Sequence, residues 1–388
     1  MTRGSEYPSS RADDRAKKKP GLLLGRPFGV PVYVTASWWI VAVIITLVYG
    51  GIVQTRLALG PSAYLLAFVF AILLYASVLV HELAHSLVAR GYGLPVRRIV
   101  LYVLGGVSEI DREAPTPGRE FWIAFSGPLL SLVLAAGAFA LALFADPFTV
   151  TGELLFQLWI ANLLVGVFNL LPGLPLDGGR LLRAGVWKLS GSLHTGSVVA
   201  AWGGRVLAVV VVALPFLFAW SAGTTPGPWA VVWGLLLAGF MWMGATEALR
   251  NARIRARVPG LRARALARPS AVVPSDLPLA QVDRKLAEAG VDTVVVTDGD
   301  ETPVSVLHPF AAEAITGARR AWVPVSDVSR ALTAHSTVPA DLEGEELLTE
   351  LTRYPLPEYL VVEADGALVG VLRAVDVNAV MAGRKPGE

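Results

Sequence analysis

Residues 62–80, SAYLLAFVFAILLYASVLV, contain no charged side chain, and the next five are His81-Glu82-Leu83-Ala84-His85. An uncharged apolar run of that length reads as a membrane-spanning helix. Ionisable groups at the end of such a helix are costly unless they have a task. Residues four apart lie on one face of an α-helix, so the imidazoles of His81 and His85 can reach a single metal ion. Glu82, beside the first histidine, is placed to take a proton from water bound to that ion. The pattern fixes few positions. Its force comes from the charge-free span that precedes it, where a chance His-Glu-His is disfavoured.

The rest of the chain suits a membrane protein. Of 388 residues, 54% are hydrophobic and 16% charged, too apolar for an ordinary soluble chain. Six apolar segments read as spans, near 37–53, 62–90, 121–144, 154–171, 198–220 and 229–248. The third is expected to be interrupted at Ser126-Gly127-Pro128. Arg and Lys of this half concentrate in the N-terminal tail, in 90–120, in 177–190 and after 249, while the alternate loops contain only Arg56. The positive-inside rule then places both termini in the cytoplasm of a multi-pass plasma-membrane protein. It puts the histidine motif at the cytoplasmic end of the second span. Residues 1–20 are polar and basic, lack a cleavage site and read as a disordered tail. The β-branched stretch 95–110, with Gly105-Gly106, reads as a hairpin. There is no cysteine, which excludes thiolate ligands and thiol catalysis, and the net charge of +2 offers no argument for a nucleic-acid partner.

A catalytic zinc ordinarily has three protein ligands and one open position. The extended HExxHxxGxxH pattern fails, because Val88 and Gly91 stand where it needs Gly and His. Glu109 and Glu113 are candidates by spacing. Asp177, in the Pro- and Gly-broken stretch NLLPGLPLDGGR at 169–180, is the stronger one. Irregular backbone at membrane depth is tolerated where protein encloses it. Beyond residue 257 the composition changes to strand-like runs alternating with short helices. The stretch VDTVVVTDGDETPVSVLHPFAAEAI is echoed by PEYLVVEADGALVGVLRAVDVNAVM, an internal repeat of a soluble α/β module.

HELAH with NLLPGLPLDGGR, together with Leu104-Gly105-Gly106-Val107 and Ser126-Gly127-Pro128-Leu129, resembles the site-2 protease family of intramembrane zinc metallopeptidases over residues 21–250. The resemblance implies a zinc endopeptidase with His81, His85 and Asp177 as zinc ligands and Glu82 as general base. Its substrate would be the transmembrane helix of another membrane protein, such as an anti-sigma factor. Asn169 matches the family's asparagine, suspected of binding substrate backbone or the oxyanion, and Gly105 and Gly106 match the element edging the active site. The C-terminal repeats resemble paired CBS domains, a regulatory module that often binds adenine nucleotides. Asp376 matches that module's ribose-contacting Asp. Arg373 replaces the usual Thr or Ser three residues earlier, and Ala311 replaces the Asp of the first repeat. That pattern favours a structural or homodimerising module over a nucleotide site. The expected fold is therefore a membrane protein of about six transmembrane helices with a C-terminal soluble α/β CBS pair. Its expected segments are a tail (1–20), a protease domain (21–256) and a tandem CBS domain (257–388). The alternatives are a CBS-regulated transporter or channel, and an inactive scaffold.

Overall fold

A computed structural model describes residues 21–103 and 105–386; the N-terminal tail and Leu104 lie outside the described residues. The chain divides into two compact units, with the boundary between Leu249 and Arg250.

The first unit is built on six helices long and apolar enough to cross a membrane. They are α1 (Trp38–Leu57), α2 (Ser62–Gly91), α3 (Pro117–Ala142), α4 (Val150–Asn169), α6 (Leu193–Ser221) and α7 (Pro228–Arg257). Their outer faces expose large apolar residues such as Leu47, Val48, Leu164, Val206 and Met243, as helices bathed in lipid do. Tyr49 and Val53 of α1 pack on Ala63, Leu66, Ala67 and Phe70 of α2. The expected break at Ser126-Gly127-Pro128 does not occur: α3 runs through Pro128 without interruption. Proline removes one intrahelical bond, and in apolar surroundings the other backbone groups have no partner but the helix itself. Arg56, the one basic residue in the alternate loops, pairs at 3.1 Å with Glu153 of α4, a carboxylate only 1% exposed. The exception to the charge asymmetry is thus a local ion pair.

Residues 21–35 form two strands, β1 (Leu22–Gly25) and β2 (Val32–Val34). The expected hairpin is β3 (Val96–Tyr102) with β4 (Gly105–Ile110), paired antiparallel. The four make one sheet in the order β1-β2-β3-β4, with β4 at an edge. Val30, Val32, Ile99 and Leu101 bury its inner face against Val78, Leu79 and Leu83. This lays the hairpin across α2 at the histidine motif.

A further helix, α5 (Asp177–Ser190), was not foreseen from the sequence. It begins directly beneath the loop that precedes it. A Cβ on Gly178 would lie 2.3 Å from the carbonyl oxygens of Leu170 and Leu171, and one on Gly179 would lie 2.2 Å from the amide of Leu174. Only glycines allow this approach.

The second unit repeats one pattern. After a short helix, α8 (Ala263–Leu266), come β5 (Ser270–Pro274), α9 (Leu279–Ala289), β6 (Thr293–Thr297), β7 (Pro303–Leu307) and α10 (Pro309–Ala314). The strand β8 (Ser329–Ala331) completes that sheet. The order then recurs as β9 (Thr337–Pro339), α11 (Gly344–Arg353), β10 (Glu358–Val362), β11 (Leu368–Arg373) and α12 (Ala374–Ala382). In both halves the first strand runs parallel to the second, and the second pairs antiparallel with the third. Val295 and Val306 of one sheet share a buried cluster with Leu360 and Val371 of the other.

Candidate metal centre

His81 and His85 project from one face of α2, as their spacing requires. Asp177, the first residue of α5, meets them from the other side. Its Oδ2 lies 3.1 Å from Nε2 of His81 and 3.2 Å from Nε2 of His85, and the two Nε2 atoms are 3.1 Å apart. Among the described residues this is the one set of three His, Asp or Glu side chains placed to share a metal ion. Nitrogen and oxygen ligands at about 2.0–2.1 Å from a tetrahedral zinc stand roughly 3.3 Å apart, so the donor set fits that ion. The other nitrogen of each imidazole is committed elsewhere. Nδ1 of His81 lies 2.9 Å from the Ser131 hydroxyl, and Nδ1 of His85 donates to the carbonyl of Ile123 at 2.6 Å. Those partners orient both Nε2 atoms toward the shared position.

Space for an ion depends on Gly127 of α3. A Cβ on Gly127 would lie 2.2 Å from Nε2 of His85 and 2.6 Å from Nε2 of His81. The bare backbone of α3 therefore forms one wall of the centre. Ser131 lies one turn further on. Both are small residues on a helix distant in sequence from the motif, and only their helical spacing of four hints that they act together.

Glu82 is buried beside the centre. The hydroxyl of Ser108 on β4 donates to its Oε2 at 2.6 Å, and Ser86 donates in turn to Ser108 at 3.2 Å. Gly106 brings the strand down onto this carboxylate: a Cβ there would lie 2.4 Å from Cγ of Glu82. Gly105, next to it, has φ +134°, a conformation that favours glycine. Asn169 closes α4, half-buried, and its carboxamide makes no hydrogen bond among the described residues.

The competing ligands are engaged elsewhere. Glu109 pairs with Arg98 at 2.8 Å, and Glu113 faces Arg183 at 3.7 Å. Asp177 is held in place through its own helix. Arg180, one turn on, donates its Nε to the buried Glu120 of α3 at 3.0 Å, and Arg183 binds the same carboxylate.

In the second unit Asp376 does not face an open site. It is 1% exposed, and both its oxygens accept from Arg268, through Nε and Nη2, at 2.7 Å each. Those hydrogen bonds hold the Arg268 guanidinium above its ordinary pKa. Nη1 of Arg268 also reaches Asp292 at 2.6 Å, as does Nη1 of Arg373 at 3.3 Å.

The model of peptidase family M50 matches residues 69–157 and 148–214, which hold the histidine motif, Gly127, Ser131 and Asp177. The zinc metalloprotease sll0528 of Synechocystis sp. is 30% identical over 364 residues, 92% of this chain and 94% of its own length. Among solved structures, the site-2 protease of Methanocaldococcus jannaschii covers 59% of this chain and 94% of its own at 28% identity and a TM-score of 0.43. A CBS domain of a bacterial CNNM/CorC family Mg2+ transporter covers 39% of this chain and 93% of its own at 19% identity and a TM-score of 0.30. With sll0528 30% identical along nearly its whole length, the chain belongs to peptidase family M50, the site-2 protease family of membrane zinc metalloproteases.

Proposed function

We propose that the chain cleaves transmembrane segments of other membrane proteins, with His81, His85 and Asp177 holding the zinc and Glu82 as general base. The convergence of three donor atoms to within 4.8 Å of one another, with Glu82 buried alongside, carries this reading. When bound, zinc supplies the Lewis acidity that polarises a scissile carbonyl and acidifies water. Glu82 accepts the proton of the attacking water and delivers it to the leaving amine. Ser108 holds that carboxylate in position, and the free carboxamide of Asn169 is available to a substrate carbonyl or the oxyanion.

A helix hides its carbonyls in its own hydrogen bonds, so the substrate must unwind locally before attack. The outer edge of β4 is unpaired within its sheet and lies over Glu82, which suits it to receive an extended segment by strand addition. In this reading residues 21–256 are the protease domain, embedded in the plasma membrane with both termini cytoplasmic, and anti-sigma factors are a candidate substrate class. Residues 257–388 are a tandem CBS module that regulates it. The engagement of Asp376 by Arg268 favours a structural or homodimerising role there over binding of an adenine nucleotide.

The test is co-expression with tagged single-span membrane proteins, comparing wild type with Glu82→Ala. A fragment that forms only with wild type, from a chain whose zinc content is unchanged by the substitution, is the expected result. Cleavage that persists in Glu82→Ala would remove the assignment of the base.

A further inference from the structure

The outer face of the α6–α7 pair carries a guanidinium with no anion beside it among the described residues. Arg205 of α6 lies between two indoles, 4.9 Å from the Trp202 ring and 5.0 Å from the Trp242 ring. Its Nη2 donates to Thr246 of α7 at 3.2 Å. Among the described residues its buried Nε has no hydrogen-bond partner and no carboxylate pairs with it. Trp202 and Trp242 are 53% and 46% exposed, so this group faces outward from the bundle. A cation on a lipid-facing surface with an unmet donor is costly until an anion joins it.

Its depth says what that anion is. The hydrocarbon of a bilayer takes about 20 helical residues to cross. Counted back from the exposed Trp220 on α6, or onward from the exposed Trp229 on α7, that length ends within one turn of Trp202 and of Thr246. Arg205 lies about one turn inside that boundary, and its side chain, which leans toward the N-terminal end of α6, extends toward the level of the lipid phosphates. Toward the membrane centre, exposed Val206 and Val209 on α6 and Met243 and Leu236 on α7 continue the same strips at helical spacing. They offer a surface for an acyl chain directly above the guanidinium.

We propose that Arg205, Trp202, Trp242 and Thr246 form a binding site for an anionic phospholipid. The forked guanidinium takes the phosphate through paired N–H groups, the indoles flank the headgroup, and the aliphatic strips take the chain. The inner face of the same helices clamps the loop that leads to Asp177. The amide of Leu174 donates to the carbonyl of Ala200 at 3.0 Å. A Cβ on Gly204 would lie 1.9 Å from the Leu174 carbonyl oxygen, and one on Gly244 would lie 2.6 Å from the Pro175 ring. The lipid site thus sits directly behind the third ligand of the metal centre.

Native mass spectrometry of the full-length protein in mild detergent tests this, with phosphatidylglycerol, phosphatidylcholine or inorganic phosphate added. Wild type retains phosphatidylglycerol about fivefold better than phosphatidylcholine, and Arg205→Gln abolishes that preference. Arg205→Lys, which keeps the charge and loses the fork, is intermediate. Zinc content reports whether each variant is folded; should Arg205→Gln lack zinc, Arg205→Lys and Thr246→Val carry the test. Unchanged retention of phosphatidylglycerol in zinc-loaded variants overturns the proposal. So does displacement of the lipid by inorganic phosphate at equal concentration, which would assign the guanidinium to a soluble anion. A co-purifying polypeptide at this face in place of lipid overturns it as well.

Discussion

Gly127 and His85 lie so close that a single methyl group cannot fit between them: a Cβ on Gly127 would come within 2.2 Å of Nε2 of His85. The opposing atoms are a ring nitrogen and a helix backbone, and neither can swing aside as a flexible side chain could. Gly127→Ala is expected to weaken zinc binding roughly 5- to 150-fold, the equivalent of about 1–3 kcal/mol of overpacking, with little loss of helix content. Zinc titration against a competing chelator checks this. Affinity equal to wild type would mean that α3 can withdraw from the centre.

Ser131 acts on the opposite nitrogen of the other histidine. Its hydroxyl lies 2.9 Å from Nδ1 of His81, and both groups are buried. Removing it leaves Nδ1 without a partner and frees the ring to turn away from the shared position. Ser131→Ala is expected to weaken zinc binding about 10- to 100-fold, and Ser131→Thr, which retains the hydroxyl, to restore much of it. A structural defect alone would lower the melting temperature of both variants without this division in zinc affinity.

How far the site could be read from the sequence follows from where its parts lie. His81, Glu82 and His85 are legible because one helix carries them at a fixed spacing, and Asp177 because it sits in a Pro- and Gly-broken stretch at the end of a span. Gly127 is visible only as part of the segment Ser126-Gly127-Pro128-Leu129 and Ser131 not at all, since what they do at the centre arises only once α3 is laid against α2. Pro128 reads locally as a break, but the apolar surroundings outweigh the local preference and the helix continues. The helix α5 is short and amphipathic, so a reading tuned to long apolar runs passes over it. In the second unit Asp376 is visible as a motif residue, whereas its partner Arg268 stands 108 residues away. No local pattern links the two.

Glu120 and Arg180 join α3 to the first turn of α5, the turn that begins with Asp177. Glu120 is buried and accepts from both Arg180 and Arg183. Glu120→Ala leaves two arginines without that anion in a largely enclosed position. The expected cost is about 3–5 kcal/mol of stability, with weakened zinc binding because Asp177 loses its brace. Glu120→Asp, which keeps the charge but shortens the reach, is expected to lose less. Thermal unfolding with and without added zinc measures both effects. A melting temperature equal to wild type in Glu120→Ala would show that solvent already screens the arginines.

Asp292, Arg268, Asp376 and Arg373 form a connected ionic group joining the two halves of the C-terminal unit. For a ribose hydroxyl to reach Asp376, the bidentate pairing with Arg268 must first open and deprive a carboxylate 1% exposed of both those hydrogen bonds. A ligand at a hundred times its dissociation constant contributes only about 2.7 kcal/mol. Breaking a buried pair costs about as much or more. AMP or ATP is therefore expected to leave the melting temperature of the wild-type protein unchanged. Arg268→Ala, by removing both of these hydrogen bonds to a buried carboxylate, is expected to lower it, and Arg268→Ala with Asp376→Ala to recover part of the loss, because the buried charge is gone. A nucleotide-dependent rise in the wild type would mean that Arg268 swings away and that the carboxylate is open to ligand. Failure of the double variant to recover would place the role of Arg268 in its contact with Asp292 instead.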